Sequence, residues 1–230
     1  MPTHESEFLL VRGGGSRCYG RLASLAFAVA LIFAGFATWS DAAFAPRSSH
    51  MTLHIVTMNA IAPLAAIGWL RLPPARRISS MDRTLVAGLL LQIGVLYAWH
   101  LPGVVATAEG RPFFHAAMHI ALLGSAILFW VAILSLQGAA LWRGFMALIL
   151  TGKLACLLGA LLLLAPGVLD GGTRAAPDAE LDDQRFAGLM MLAACPVFYL
   201  ATAVHMAVRW LKEVEAGAAR LSDRRVSKSG

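Results

Sequence analysis

Charge is scarce in this chain, and acidic charge inside its apolar runs is absent. Asp, Glu, Lys and Arg make up 14% of the 230 residues, against about 25% in a soluble domain. So little charge cannot clothe a water-soluble core, which excludes a large soluble module. Cysteine is scarce too. Cys18, Cys156 and Cys195 form no C-x-x-C pair and are too few for a disulfide framework. There is no internal repeat and no low-complexity tract, and Gly13-Gly14-Gly15 reads as a short flexible stretch before the first apolar run.

What is present is hydrocarbon. Hydrophobic residues make up 58% of the chain, the mean hydropathy is +0.69, and several apolar runs approach the roughly 20 residues that cross a bilayer. Helix is the open-chain structure that satisfies every backbone amide within its own segment in lipid. The expectation is therefore an all-α polytopic bundle of six transmembrane helices, at residues 22–38, 50–70, 84–100, 114–136, 141–165 and 186–211. Residues 1–21 form an N-terminal segment, 22–211 the transmembrane domain and 212–230 a basic tail.

The net charge of +6 does not point to nucleic acid, because the basic residues follow the loops and termini. Of the 19 Lys and Arg residues, 14 flank the spans on one side and 4 on the other, with Lys153 inside the fifth span. By the positive-inside rule both termini of this multi-pass protein are cytoplasmic. Arg17, Arg21, the apolar run after them and Ala43-Phe44-Ala45 also resemble a secretory signal. Pro46 disfavours cleavage after Ala45; cleavage would leave five spans in the same orientation.

With this topology His50 and His54 open the second helix at the outer face. His100 closes the third there, and His115 and His119 open the fourth. Residues four apart share a helix face, with Cβ atoms about 5–6 Å apart. Each pair is therefore a candidate chelate, and His100 a candidate to complete a site between helices. Met51, Met58 and Met118 are interleaved with them. Imidazole with thioether is a soft-to-borderline set that suits copper, above all Cu(I). The plain alternative is interfacial histidines bonded to headgroups, water or backbone, with the methionines as packing.

Before the sixth helix an acidic loop holds Asp178, Glu180, Asp182 and Asp183. Gln184, Gly188 and Met191 follow at helical spacing on one face. An aspartate there either orients a ligating imidazole or caps its own helix. Asp183, Gln184 and Met191 are therefore candidates for the layer that supports the ligands. Lys153, Cys156 and Cys195 lie deeper, where a cation path or a thiol relay is the functional reading and snorkelling or plain packing the bland one.

Several chemistries lack a required group. A zinc protease needs H-E-x-x-H, yet Met51 and Ala116 stand in the glutamate position. Haem ligation needs histidines from opposite sides, which one i, i+4 pair cannot supply. Membrane desaturases use adjacent histidines, and no His-His pair occurs. Metal holding remains, with cation transport and a haem- or metal-containing redox protein as alternatives.

The ordered motifs His50-Met51-Thr52-Leu53-His54, Ala62-Pro63-Leu64, Trp99-His100-Leu101-Pro102, His115-Ala116-Ala117-Met118-His119, Phe129-Trp130 and Asp183-Gln184 with Gly188-Leu189-Met190 resemble the multi-spanning CtaG family of cytochrome c oxidase assembly factors. The resemblance covers about residues 48 to 210. It implies an assembly factor or metallochaperone of the bacterial inner membrane rather than an enzyme, supplying copper to a haem-copper oxidase subunit, with a periplasmic copper chaperone as a second partner left open. The positions it carries over are His50, His54, His100, His115, His119 and Asp183.

Overall fold

Each apolar run folds as helix, and the helix starts carry local signals. Pro46 and Pro112 stand at the first helical positions of their elements, where a missing N–H costs nothing and φ is already helical. Gly138, at φ 59°, makes the turn into the helix that follows it, a left-handed conformation that glycine adopts without strain.

The computed structural model describes residues 5–71, 81–101, 103–104, 111–169 and 178–229. Among them are α1 (Glu5–Ala43), α2 (Pro46–Val56), α3 (Ala62–Leu70), α4 (Met81–Trp99), α5 (Pro112–Ser135), α6 (Leu141–Leu164) and α7 (Asp178–Ser229). A π-helical turn, Thr57–Ile61, joins α2 to α3, so the two form one span. Arg76, Arg77, Pro102 and Arg174 lie outside the described residues.

The five stretches long and apolar enough to cross a membrane are Ser24–Ala43, Pro46–Leu70, Pro112–Ser135, Gly138–Leu164 and Asp178–Ala218. The apolar part of α4, Arg83–Trp99, is shorter, about 25 Å at 1.5 Å per residue, near the lower length for a span. The architecture is thus the expected helical membrane bundle. Its outer surface is hydrocarbon: Leu31, Leu64, Leu90, Ile120, Leu157 and Val197 are all exposed, as lipid requires.

Two boundaries differ from expectation. The Gly13–Gly15 stretch is not a flexible lead but part of α1, because a helix propagates cooperatively through residues that would not start one. The acidic stretch before the last span is the opening of α7 rather than a loop, with Asp178 and Glu180 in the first turn, where carboxylates offset the positive helix end. At its other end the basic tail continues α7 as helix to Ser229.

The helices close against one another where side chains are small or paired. Gly159 of α6 faces Gly188 of α7, so near that a Cβ on Gly188 would lie 2.6 Å from the Gly159 carbonyl oxygen. Trp130 of α5 stacks on Tyr199 of α7 with centroids 6.1 Å apart and planes 7° from parallel. Gln92 of α4 donates to the Tyr199 hydroxyl at 2.8 Å, and the Tyr97 hydroxyl donates to the Leu154 carbonyl of α6 at 2.8 Å.

Candidate metal centre

Antiparallel packing brings the starts of α2 and α5, the end of α4 and the start of α7 to one end of the bundle. The i, i+4 spacing then puts His50 and His54 on one face of α2, and His115 and His119 on one face of α5. The structure joins these two faces. Ring centroids are 4.1 Å apart for His50/His54 and 4.5 Å for His115/His119 within helices. Between helices they are 5.8 Å for His50/His115, 5.7 Å for His50/His119 and 5.4 Å for His54/His119. His100, one residue past α4, lies 5.6 Å from His54. All five sequence-selected histidines form one connected cluster.

Within it, His50, His54 and His119 each offer a nitrogen, and the three lie within 4.8 Å of one another. A tetrahedral ion with metal–nitrogen bonds near 2.05 Å asks for nitrogens about 3.3 Å apart, so small rotamer shifts suffice.

Hydrogen bonding also prepares the nitrogens. His119 Nδ1 lies 2.9 Å from the His115 carbonyl, and His100 Nδ1 lies 2.6 Å from the Leu96 carbonyl. A carbonyl only accepts, so each Nδ1 carries the proton and each Nε2 presents a bare lone pair. Both Nε2 atoms are buried with no hydrogen-bond partner, as are both ring nitrogens of His54. Buried polar atoms are nearly always paired. A neutral imidazole keeps one proton, so His54, His100 and His119 offer one unpaired lone pair each, and buried lone pairs of this kind weigh against simple interfacial histidines.

Exposure falls inward through the cluster. His115 is exposed and His50 partly buried, whereas His119 and His54 retain 6% and 2% of their surface.

The supporting layer differs from the expected one. Asp183 orients no imidazole. Its carboxylate accepts from the backbone N–H groups of Arg47 at 2.9 Å and Ser48 at 3.1 Å, and from the Ser48 hydroxyl. It caps α2 rather than its own helix, and so holds in place the helix that carries His50 and His54. The backbone donors at the start of α2 outcompete a histidine because they point at α7. Arg47 reinforces the junction through Glu180 at 3.5 Å. Gln184 does not reach the cluster either. It accepts from the Leu169 amide and donates to the Leu162 and Gly167 carbonyls, tying the α6 exit to α7.

Of the sulfur residues, Met51, Met58 and Met191 line a small cavity on the inner side of His54, together with Cys195. Met118 is buried beside His119 in sequence. Cys156 is partly buried and unpaired as a disulfide. Lys153 is exposed on α6 and makes no polar contact among the described residues. It faces outward instead of lining a path. His205, exposed on α7, lies 22 residues beyond Asp183, about 33 Å along the helix.

Sequence reasoning missed what α1 supplies. Phe33 packs edge-on to His119 with centroids 5.4 Å apart. Ser49 donates to Asp41 at 2.6 Å and pairs with Ser40 at 3.1 Å. No spacing rule points from residues 33 and 41 to residues 119 and 49. The π turn was missed too, although such turns often occur at functional sites. There the Trp130 indole donates to the Met58 carbonyl at 2.7 Å.

No curated protein and no solved structure matches the chain. A family model does: the cytochrome c oxidase caa3 assembly factor, over residues 10–213. That match takes in all five clustered histidines, the Asp183 clamp and the sulfur-lined cavity. With nearly the whole chain covered, this protein belongs to the caa3-type cytochrome c oxidase assembly factor family (Caa3_CtaG).

Proposed function

We propose that the protein holds copper at its five-histidine cluster, on the periplasmic face of the bacterial inner membrane, and passes it to a haem-copper oxidase subunit during assembly. The observation that carries this reading is the set of buried imidazole nitrogens without partners, on His54, His100 and His119, in a family that serves cytochrome c oxidase. A ligand set made of imidazoles suits copper better than magnesium or calcium. The exposure gradient from His115 to His54 supports loading and release at one end, as a donor requires. The surplus of Lys and Arg at the opposite end supports the periplasmic assignment.

The transport reading fares worse. Lys153 points away from the bundle interior, which removes the charged group a cation path was expected to use. The space beside His54 is about 10 Å³, a size that suits an ion.

The test is genetic and functional. Cells carrying His54→Ala/His119→Ala are expected to lose most caa3-type oxidase activity at limiting copper, with the protein still present in the membrane. Excess copper is expected to restore part of it. Full activity of the variant at limiting copper would remove the histidines from oxidase maturation.

A further inference from the structure

Beneath the histidines lies a second group of metal-ligating side chains. Met51, His54, Met58, Met191, Cys195 and Tyr199 surround a cavity of about 10 Å³, close to the smallest volume that holds one water-sized particle. Four of its ten lining residues carry sulfur, in a chain with 9 Met and 3 Cys among 230 residues. Chance would put fewer than one there. The sulfurs come from two separate elements, the α2 span and α7, so no single helix stripe produces the gathering.

Thr151 Oγ1 donates to the Ala147 carbonyl, and the Tyr199 hydroxyl accepts from Gln92 and keeps its own proton to donate. Among the side-chain nitrogens and oxygens of the lining, those of His54 have no hydrogen-bond partner at all. It is also 2% exposed and a member of the histidine triad. His54 therefore belongs to both places at once.

From this geometry we infer a second, separate site beneath the histidine cluster, which takes Cu(I) through the thioethers of Met51, Met58 and Met191 beside Cys195. The lining carries no carboxylate. The solvation penalty of an ion grows with the square of its charge, so a dication costs about four times as much as a monocation here. Neutral thioethers bind Cu(I) and need no deprotonation. The site thus selects a soft monovalent ion, and no electron transfer is involved if copper arrives already reduced. An ion that has passed from His115 to His54 sits one side chain away from it. The inference rests on the copper reading above only for the identity of the ion.

The full-length protein in nanodiscs, loaded anaerobically with Cu(I) and ascorbate, tests this by copper-to-protein ratio and copper X-ray absorption. The wild type is expected to hold two Cu(I) per chain, one of them with sulfur neighbours. Met58→Leu/Met191→Leu, which nearly conserves volume, is expected to lose one equivalent and the sulfur signal, and Met191→Leu alone at least half of that signal. His50→Ala/His115→Ala is expected to lose the other equivalent and keep the sulfur-bound one. A wild type whose copper sees nitrogen alone would overturn the inference, as would an unchanged sulfur signal in the methionine variants. So would loss of the sulfur-bound ion in the histidine variant, because the sulfurs would then belong to the first site. Failure of the histidine reading shows differently: no nitrogen-bound equivalent, with the sulfur-bound ion intact.

Discussion

Replacing Gly188 by alanine asks the bundle to accept one methyl group where two helix backbones meet. The new Cβ would lie 2.6 Å from the Gly159 carbonyl oxygen, 2.8 Å from the Leu163 amide nitrogen and 3.0 Å from Leu162 Cβ. Two of these atoms are backbone and have no rotamer by which to retreat. Ordinary contact needs the helices to separate by about 1 Å. Overpacking of this kind costs roughly 1–3 kcal/mol, and the upper half of that range applies because backbone must move. The gain in helix propensity, at most about 1 kcal/mol, does not offset it. Function should suffer with stability, since α7 carries both Asp183 and Met191. Displacement therefore slackens the clamp on α2 and the cavity under His54 together. Gly188→Ala is expected to lower the thermal unfolding temperature in detergent and to reduce copper retained after dialysis. Gly124→Ala is the matched control: nothing lies within 4 Å of its Cβ position, so it should be neutral or slightly stabilising. A Gly188→Ala protein that unfolds like the control and keeps its copper would refute the close packing of α6 on α7.

Asp183→Ala removes the cap from α2, which should cost about 1–2 kcal/mol and weaken copper binding by roughly tenfold through misplacement of His50 and His54. A competition titration with a Cu(I) chelator reads the second effect, and unchanged affinity would show that the clamp does not position the ligands. Trp130→Phe leaves the Met58 carbonyl without its donor and should cost about 1–3 kcal/mol, measured by chemical or thermal unfolding. Lys153→Leu should leave copper content and oxidase activity unchanged, because this side chain faces outward; loss of metal uptake into proteoliposomes would restore the transport reading.

How much of this was legible depended on how local the information is. The histidine pairs follow from i, i+4 spacing, and the side they share from alternation of spans, so all five could be named from the chain alone. Which groups support them could not. For Asp183 the sequence offers two partners, an imidazole or the start of its own helix, whereas its carboxylate meets the backbone amides at the start of α2. That preference is decided by the approach of α7 to α2, a tertiary fact. Phe33 and Asp41 were invisible for the same reason. Met191 shares a helix face with Gln184, and the structure places it with His54 in the lining of the sulfur-lined cavity. The π turn at Thr57–Ile61 leaves no composition signal, since nothing in Thr-Met-Asn-Ala-Ile separates it from ordinary helix.

The central claim is that buried imidazoles hold copper, and the metal content of the protein itself tests it most directly. Wild type and His54→Ala/His119→Ala, purified from their own membranes without added metal and kept folded by the same detergent, should differ in bound copper measured by mass spectrometry. The account predicts copper at near one equivalent or above in the wild type, and loss of at least one equivalent in the variant. Equal copper in both proteins would contradict it, as would a wild type free of copper.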